Sequence, residues 1–243
     1  MRLLPFFLLA LVLAAPAGAQ RRPDSWVWAG AVVAGAALLD GPVDRAVPQG
    51  GGTRWAWATR ALNHGGRPQY AAVALGGAYV GGRLAGAREL SSSAAHVGAA
   101  LLASGVANGA LKYAVGRERP SATGDPHRFR PFNAENRWQS FPSGHTVVAF
   151  SLATAFSEEA DRRWVTAASY TGAALVGWSR IYDDKHWTSD VVGGAVVGTL
   201  ASRATLRHLH RRPHPDGAAV ALLPDRVEVR IPVGPSRPGP LSR

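Results

Sequence analysis

The chain has 243 residues, enough for one domain of ordinary to large size, and it contains no cysteine, which excludes a disulfide framework and any thiolate metal site. Its formal charge is +11, carried almost wholly by arginine, since Lys112 and Lys185 are the only lysines. That balance suits anionic lipid headgroups or phosphorylated small molecules; nucleic acid is disfavoured, because the basic residues are scattered and no aromatic-interleaved platform accompanies them.

In chain order, residues 1–19 pair Arg2 with an apolar stretch and a small-residue ending, Ala17-Gly18-Ala19. That is the pattern of a secretory signal peptide cleaved before Gln20, and it predicts an exported protein of the periplasm or cell envelope. Apolar runs rich in Ala and Gly follow at about 27–39, 70–87, 92–115, 146–157, 164–178 and 188–206. They exceed strand length and lack β-branched alternation, so they predict helices and an all-α domain over 20–210. Few reach the roughly 20 uninterrupted apolar residues of a membrane span. A compact bundle, free in water or resting on a membrane surface, is therefore expected. Trp26, Trp28, Trp55 and Trp57 are expected in its core. Residues 40–54 read as a turn-rich connector and 119–143 as a long polar, aromatic loop, with His127, Arg128, Phe129, Arg130 and Phe132 as substrate-facing candidates. The tail, 211–243, is rich in Pro, Arg and Gly; within it "AVALLPDRVEVRIPV" predicts a small hairpin turning at Pro224-Asp225.

Three stretches carry chemistry. In "LKYAVGRERP", Lys112 and Arg119 stand seven apart, close to two helical turns, and Pro120 turns Arg119 toward a loop. In "SFPSGHT", Ser143 and Gly144 offer a hydroxyl and backbone N–H groups at a helix entrance, where the dipole favours an anion, and His145 follows at once. In "WSRIYDDKHWTSD", Arg180 adds a third cation, and His186 and Asp190 are four apart, the spacing at which a carboxylate orients an imidazole. Asp183 and Asp184 beside them predict a water-facing turn in which one carboxylate pairs with Lys185. A d-block metal site is disfavoured, because these arginines repel a cation and further imidazoles at regular spacing are missing. An anion pocket with a nucleophile and an acid is what phosphoester hydrolysis requires. Which histidine attacks stays open on spacing alone.

K-x6-R-P at Lys112 to Pro120, P-S-G-H at Pro142 to His145, and S-R-x5-H-x3-D at Ser179 to Asp190 resemble the three signature motifs of the type 2 phosphatidic acid phosphatase and vanadium haloperoxidase superfamily. The resemblance covers residues 112–190 and implies an all-α bundle of the acid phosphatase type. It implies hydrolysis of a phosphomonoester or a lipid-linked phosphate or pyrophosphate without metal or cofactor. His186 would be the nucleophile, Asp190 its orienting partner, and His145 the acid and later the base. Lys112, Arg119, Arg180, Ser143 and Gly144 would hold the phosphate. The superfamily also contains vanadate-dependent haloperoxidases, for which this chain is short. A non-catalytic anion- or lipid-binding envelope protein is a third class, which the complete set of acid, nucleophile and carboxylate disfavours.

Overall fold

A computed structural model describes residues 25–47, 56–160, 162–210, 219–223 and 226–230. The expected signal peptide, Trp55 and most of the tail lie outside these residues. Apart from one small hairpin, the described part is α-helical, as expected, with eight α-helices: α1 (Ser25–Ala37), α2 (Asp40–Ala46), α3 (Ala56–Gly65), α4 (Pro68–Leu84), α5 (Arg88–Val115), α6 (Gly144–Ala160), α7 (Arg163–Tyr182) and α8 (Thr188–His210). The six apolar runs become α1 and α4 to α8. The connector is not all loop: Asp40–Ala46 is helical despite Gly41 and Pro42, and α3 follows it. The chain divides into two compact units at Leu206/Arg207. In the second, β1 (Ala219–Leu223) and β2 (Arg226–Arg230) form the expected antiparallel hairpin, with Leu223 opposite Arg226.

Small residues set how closely the helices approach. α6 lies along α7 and also meets α5, which packs on α4, while α3 packs on α7. Phe150, Ala153, Ala173, Val176 and Ala195 fill the space between α6, α7 and α8. A Cβ on Gly194 would stand 2.7 Å from the Ser143 carbonyl, and one on Gly198 would stand 2.5 Å from that of Val147, so α8 meets the α6 backbone directly. Deeper in the bundle, the buried hydroxyls of Ser104 (α5), Ser151 (α6) and Ser202 (α8) bond to one another at 2.7–3.3 Å, which satisfies them where water is excluded.

Other surfaces are apolar and open. α5 is long and apolar enough to cross a membrane, and α1 with α2, bent by 47°, passes the same measure as a broken pair. Large apolar side chains stand exposed along α4 (Val73, Val80, Leu84) and α5 (Leu102, Val106). Between these helices runs a groove of about 630 Å³, lined by residues such as Leu75, Gly76, Gly98 and Leu101. Trp28 and Trp57 are also about two-thirds exposed, so the expectation of a core role fails for them: each lies on the outward face of a short helix.

Candidate active site

The two histidines and three cations, far apart in sequence, meet where the C-terminal ends of α5 and α7 face the N-terminal ends of α6 and α8. α5 ends at Gly116, whose left-handed backbone (φ 57°) reverses the chain. A Cβ there would lie 1.8 Å from the Arg130 carbonyl, so only glycine fits. The chain then runs back along itself: Glu118 N donates to the Arg128 carbonyl (3.0 Å), Arg119 N to that of Arg137 (3.1 Å) and Ser140 N to that of Arg117 (3.0 Å). The 119–143 segment is thus an ordered brace. Two of the residues proposed to face substrate hold it in place: Arg128 pairs with buried Glu118 (3.2 Å), and Phe132 packs edge-on against Tyr113.

Lys112 and Arg119 are held pointing inward by carbonyls of this brace. Lys112 Nζ donates to the Gln139 carbonyl. Arg119 donates to Asn136 (2.9 and 3.0 Å) and to the Lys185 carbonyl (3.0 Å), and its Nη1 lies 3.4 Å from His186 Nε2. The Phe141–Pro142 peptide is cis. Ser143 N donates to the Asp190 carbonyl (2.9 Å), and Thr146 donates to the Ser143 hydroxyl (2.9 Å). Gly144 opens α6 beside Lys112, whose Cε would be 3.8 Å from a Cβ at that position.

His186 and Asp190 are both buried. Nδ1 of His186 stands 3.7 Å from Asp190 Oδ2, within ion-pair range but longer than a hydrogen bond. Asp190 is held by other donors: Ser140 Oγ (2.5 Å) and Trp187 N (3.0 Å) on Oδ2, and Arg117 Nη1 (2.7 Å) on Oδ1. Burial pushes its carboxyl up, but the facing His186, Arg117 and Ser140 outweigh that and hold it below the ordinary carboxylate range. Burial, with Lys112 and Arg119 adding to it against the pull of Asp190, lowers His186 to about 3. Burial followed by Arg180, Arg67, Arg119 and Lys112 lowers His145 to about 4. Both rings are therefore neutral at neutral pH before an anion arrives.

Several site residues escape a motif reading. Asp40, at the start of α2, is fully buried; it accepts from Arg117 Nη2 (2.7 Å), Ser189 N (2.7 Å) and Ser189 Oγ (2.7 Å). Arg117 thus bridges Asp40 and Asp190 and fixes the carboxylate behind His186. Asn63 of α3 accepts from Arg180 Nη1 and Ser179 Oγ (3.1 Å) and donates to Asp183 Oδ2 (2.7 Å), leaving the buried Arg180 Nε with no partner. Asp183 thus faces Asn63 and Arg180 (3.5 Å) and is no partner of Lys185; the expectation of a pair with Lys185 fails for it because Asn63 reaches it from another helix. The Gly66 backbone lies against His145, as a Cβ there would meet the His145 Cβ at 2.8 Å. The only sequence signal for this corner is "NHGGRP", a turn before a proline.

Residues 93–213 match the PAP2 superfamily. A lipid A 1-phosphatase of Porphyromonas gingivalis is 45% identical over 91 residues, 37% of this chain and 18% of that protein. One of Rhizobium johnstonii is 34% identical over 104 residues, 42% of each. The chain therefore spans less than half the length of these curated relatives. Among solved structures, a transmembrane PAP2-type phosphatidylglycerolphosphate phosphatase from Bacillus subtilis superposes with a TM-score of 0.52 at 21% identity, covering 87% of this chain and 97% of that one, a likeness of fold.

Proposed function

The chain belongs to the PAP2 superfamily through residues 93–213, and from that premise we propose that it is an exported, membrane-associated phosphatase that removes phosphate from a lipid phosphate by way of a phosphohistidine, with no metal or cofactor. The observation that carries this reading is the orientation of His186: Nε2 faces the cation Arg119, and Nδ1 faces Asp190. Nε2 is thus the lone pair presented to an anion. Asp190 stands where it stabilises the positive charge that the ring gains on attack.

In the first step Nε2 forms a bond to phosphorus while the bond from phosphorus to the leaving oxygen breaks, and His145 gives that oxygen a proton. In the second, His145 takes a proton from water as the water oxygen attacks phosphorus, the P–N bond breaks, and inorganic phosphate departs. Lys112, Arg119, Arg180, the Ser143 hydroxyl and the N–H of Gly144 hold the non-bridging oxygens and offset the charge that builds on them. Substrate also prepares its own acid: a bound phosphate offsets the Arg180, Arg67, Arg119 and Lys112 charges that add to burial in depressing His145, and so raises the proton affinity of the ring.

Phosphate release from p-nitrophenyl phosphate, phosphatidic acid and phosphatidylglycerol phosphate, measured in EDTA, tests the proposal. The parent protein releases phosphate and His186→Ala does not, while ³²P label becomes acid-labile on the parent alone. Release that survives His186→Ala overturns the mechanism, and halide oxidation appearing only with added vanadate moves the chain to the haloperoxidase class.

A further inference from the structure

The corner between α3 and α4 lies outside the superfamily match, yet it forms a wall of the pocket. Gly66 leaves no room for a side chain between this corner and His145, so the next residue, Arg67, emerges beside the acid that serves the leaving oxygen. Arg67 is extended (φ −87°, ψ 124°) ahead of Pro68, and it is exposed. Among the described residues its guanidinium has no hydrogen-bond or ion-pair partner. Arg119, Arg180 and Arg117 differ: each is tied to protein groups, to Asn136, to Asn63 and to Asp40 respectively. Its influence on His145 stands ahead of that of Arg119 and Lys112, in keeping with a place on the acid's side of the pocket.

The charge balance gives this cation a purpose. Lys112, Arg119, Arg180 and Arg67 surround the pocket, while Asp190 is engaged by Arg117 and Ser140, and Asp183 by Asn63 and Arg180. One phosphoryl dianion satisfies the cations that hold it and leaves Arg67 unmatched on the leaving-group side. We propose that Arg67 contacts a second phosphate carried by the leaving group, and so makes the site selective for diphosphates over monoesters. This rests on the phosphatase reading above and adds the substrate class to it.

Binding and turnover test it separately. In His186→Ala protein, calorimetry with inorganic pyrophosphate and inorganic phosphate gives at least tenfold tighter binding of pyrophosphate. Adding Arg67→Ala brings that ratio to within about threefold of unity while phosphate affinity holds, and Arg67→Lys restores part of it. In otherwise native protein, Arg67→Ala lowers kcat/KM for farnesyl and methyl diphosphates about tenfold relative to their monophosphates; the better of the two diphosphates tells a lipid-borne group from a soluble one. An equal loss for both ligands, or no change in the ratio, overturns the role of Arg67. The phosphatase reading stands or falls independently, on His186-dependent release from p-nitrophenyl phosphate.

Discussion

Asn63 holds the Arg180 guanidinium by one edge, while its buried Nε has no protein partner. In Asn63→Ala the guanidinium has only Asp183 to turn to, and it swings toward that carboxylate. The expected result is a fall in kcat/KM of ten- to a hundredfold with the melting temperature nearly unchanged. Asn63→Asp keeps an acceptor for Arg180 but faces Asp183 with a second carboxylate, so its activity recovers as pH falls and one of the two takes a proton; a flat profile would make Asn63 merely structural. A second residue-scale prediction concerns His186, lowered from 6.5 to about 3. Between those values the unfolded chain binds a proton that the folded chain refuses. The stability contributed by neutral His186 is therefore complete above pH 6.5 and is lost as pH falls toward 3, by at most about 1.4 kcal/mol per pH unit. Melting temperatures at pH 7 and pH 5 should drop more for the parent than for His186→Asn, and equal drops would show that the ring is not buried neutral. The motif residues are legible in sequence because the phosphate chemistry fixes their spacing. Asn63 and Asp40 are not, since each acts on a partner more than 70 residues away, through geometry that no local pattern encodes.

Glycine in a helix has opposite consequences at different places in this bundle, and one substitution tells them apart. At Gly198 of α8 a Cβ would lie 2.5 Å from the Val147 carbonyl and 3.0 Å from Ser151 N, both backbone atoms of α6 that cannot turn aside. Gly198→Ala must push the helices apart and loosen the buried serine cluster behind them, and it should cost about 2 kcal/mol or more. At Gly109 of α5 nothing lies within 4 Å of a Cβ, and the residue is exposed. Gly109→Ala should therefore gain up to about 1 kcal/mol from helix propensity. Urea unfolding of the two variants checks the contrast; destabilisation by both would mean that Gly109 also meets a neighbour. The long helices are legible because runs of Ala, Gly and Val outlast any strand. α2 is hidden, because Gly41 and Pro42 signal a turn locally, while the bonds of Asp40 to Arg117 and Ser189 N fix the start of this helix from outside.

At the scale of the molecule, a pocket for a charged group stands at the C-terminal end of α5, and open apolar surface extends from there along α4 and α5. Lys112 lies in the last turn of α5, Val106 and Leu102 stand two to three turns earlier, and both are more than two-thirds exposed. A lipid phosphate has the same polarity, a charged head on an apolar body, and so does the boundary of a bilayer. Exposed Trp28 and Trp57 add side chains of the kind that settle at such a boundary. Membrane association through this face, as distinct from attraction by the +11 charge alone, has a specific signature. Electrostatic binding is screened by salt, whereas burial of apolar surface is not. The protein should therefore stay with anionic vesicles in flotation at 1 M NaCl. Leu102→Glu with Val106→Glu should release it and should lower turnover of phosphatidic acid in vesicles at least tenfold. Hydrolysis of p-nitrophenyl phosphate should not change, because neither side chain reaches the pocket. Release of the parent protein by salt alone would reduce its membrane contact to charge, and an equal loss on both substrates would show that the double substitution had disturbed α5 itself.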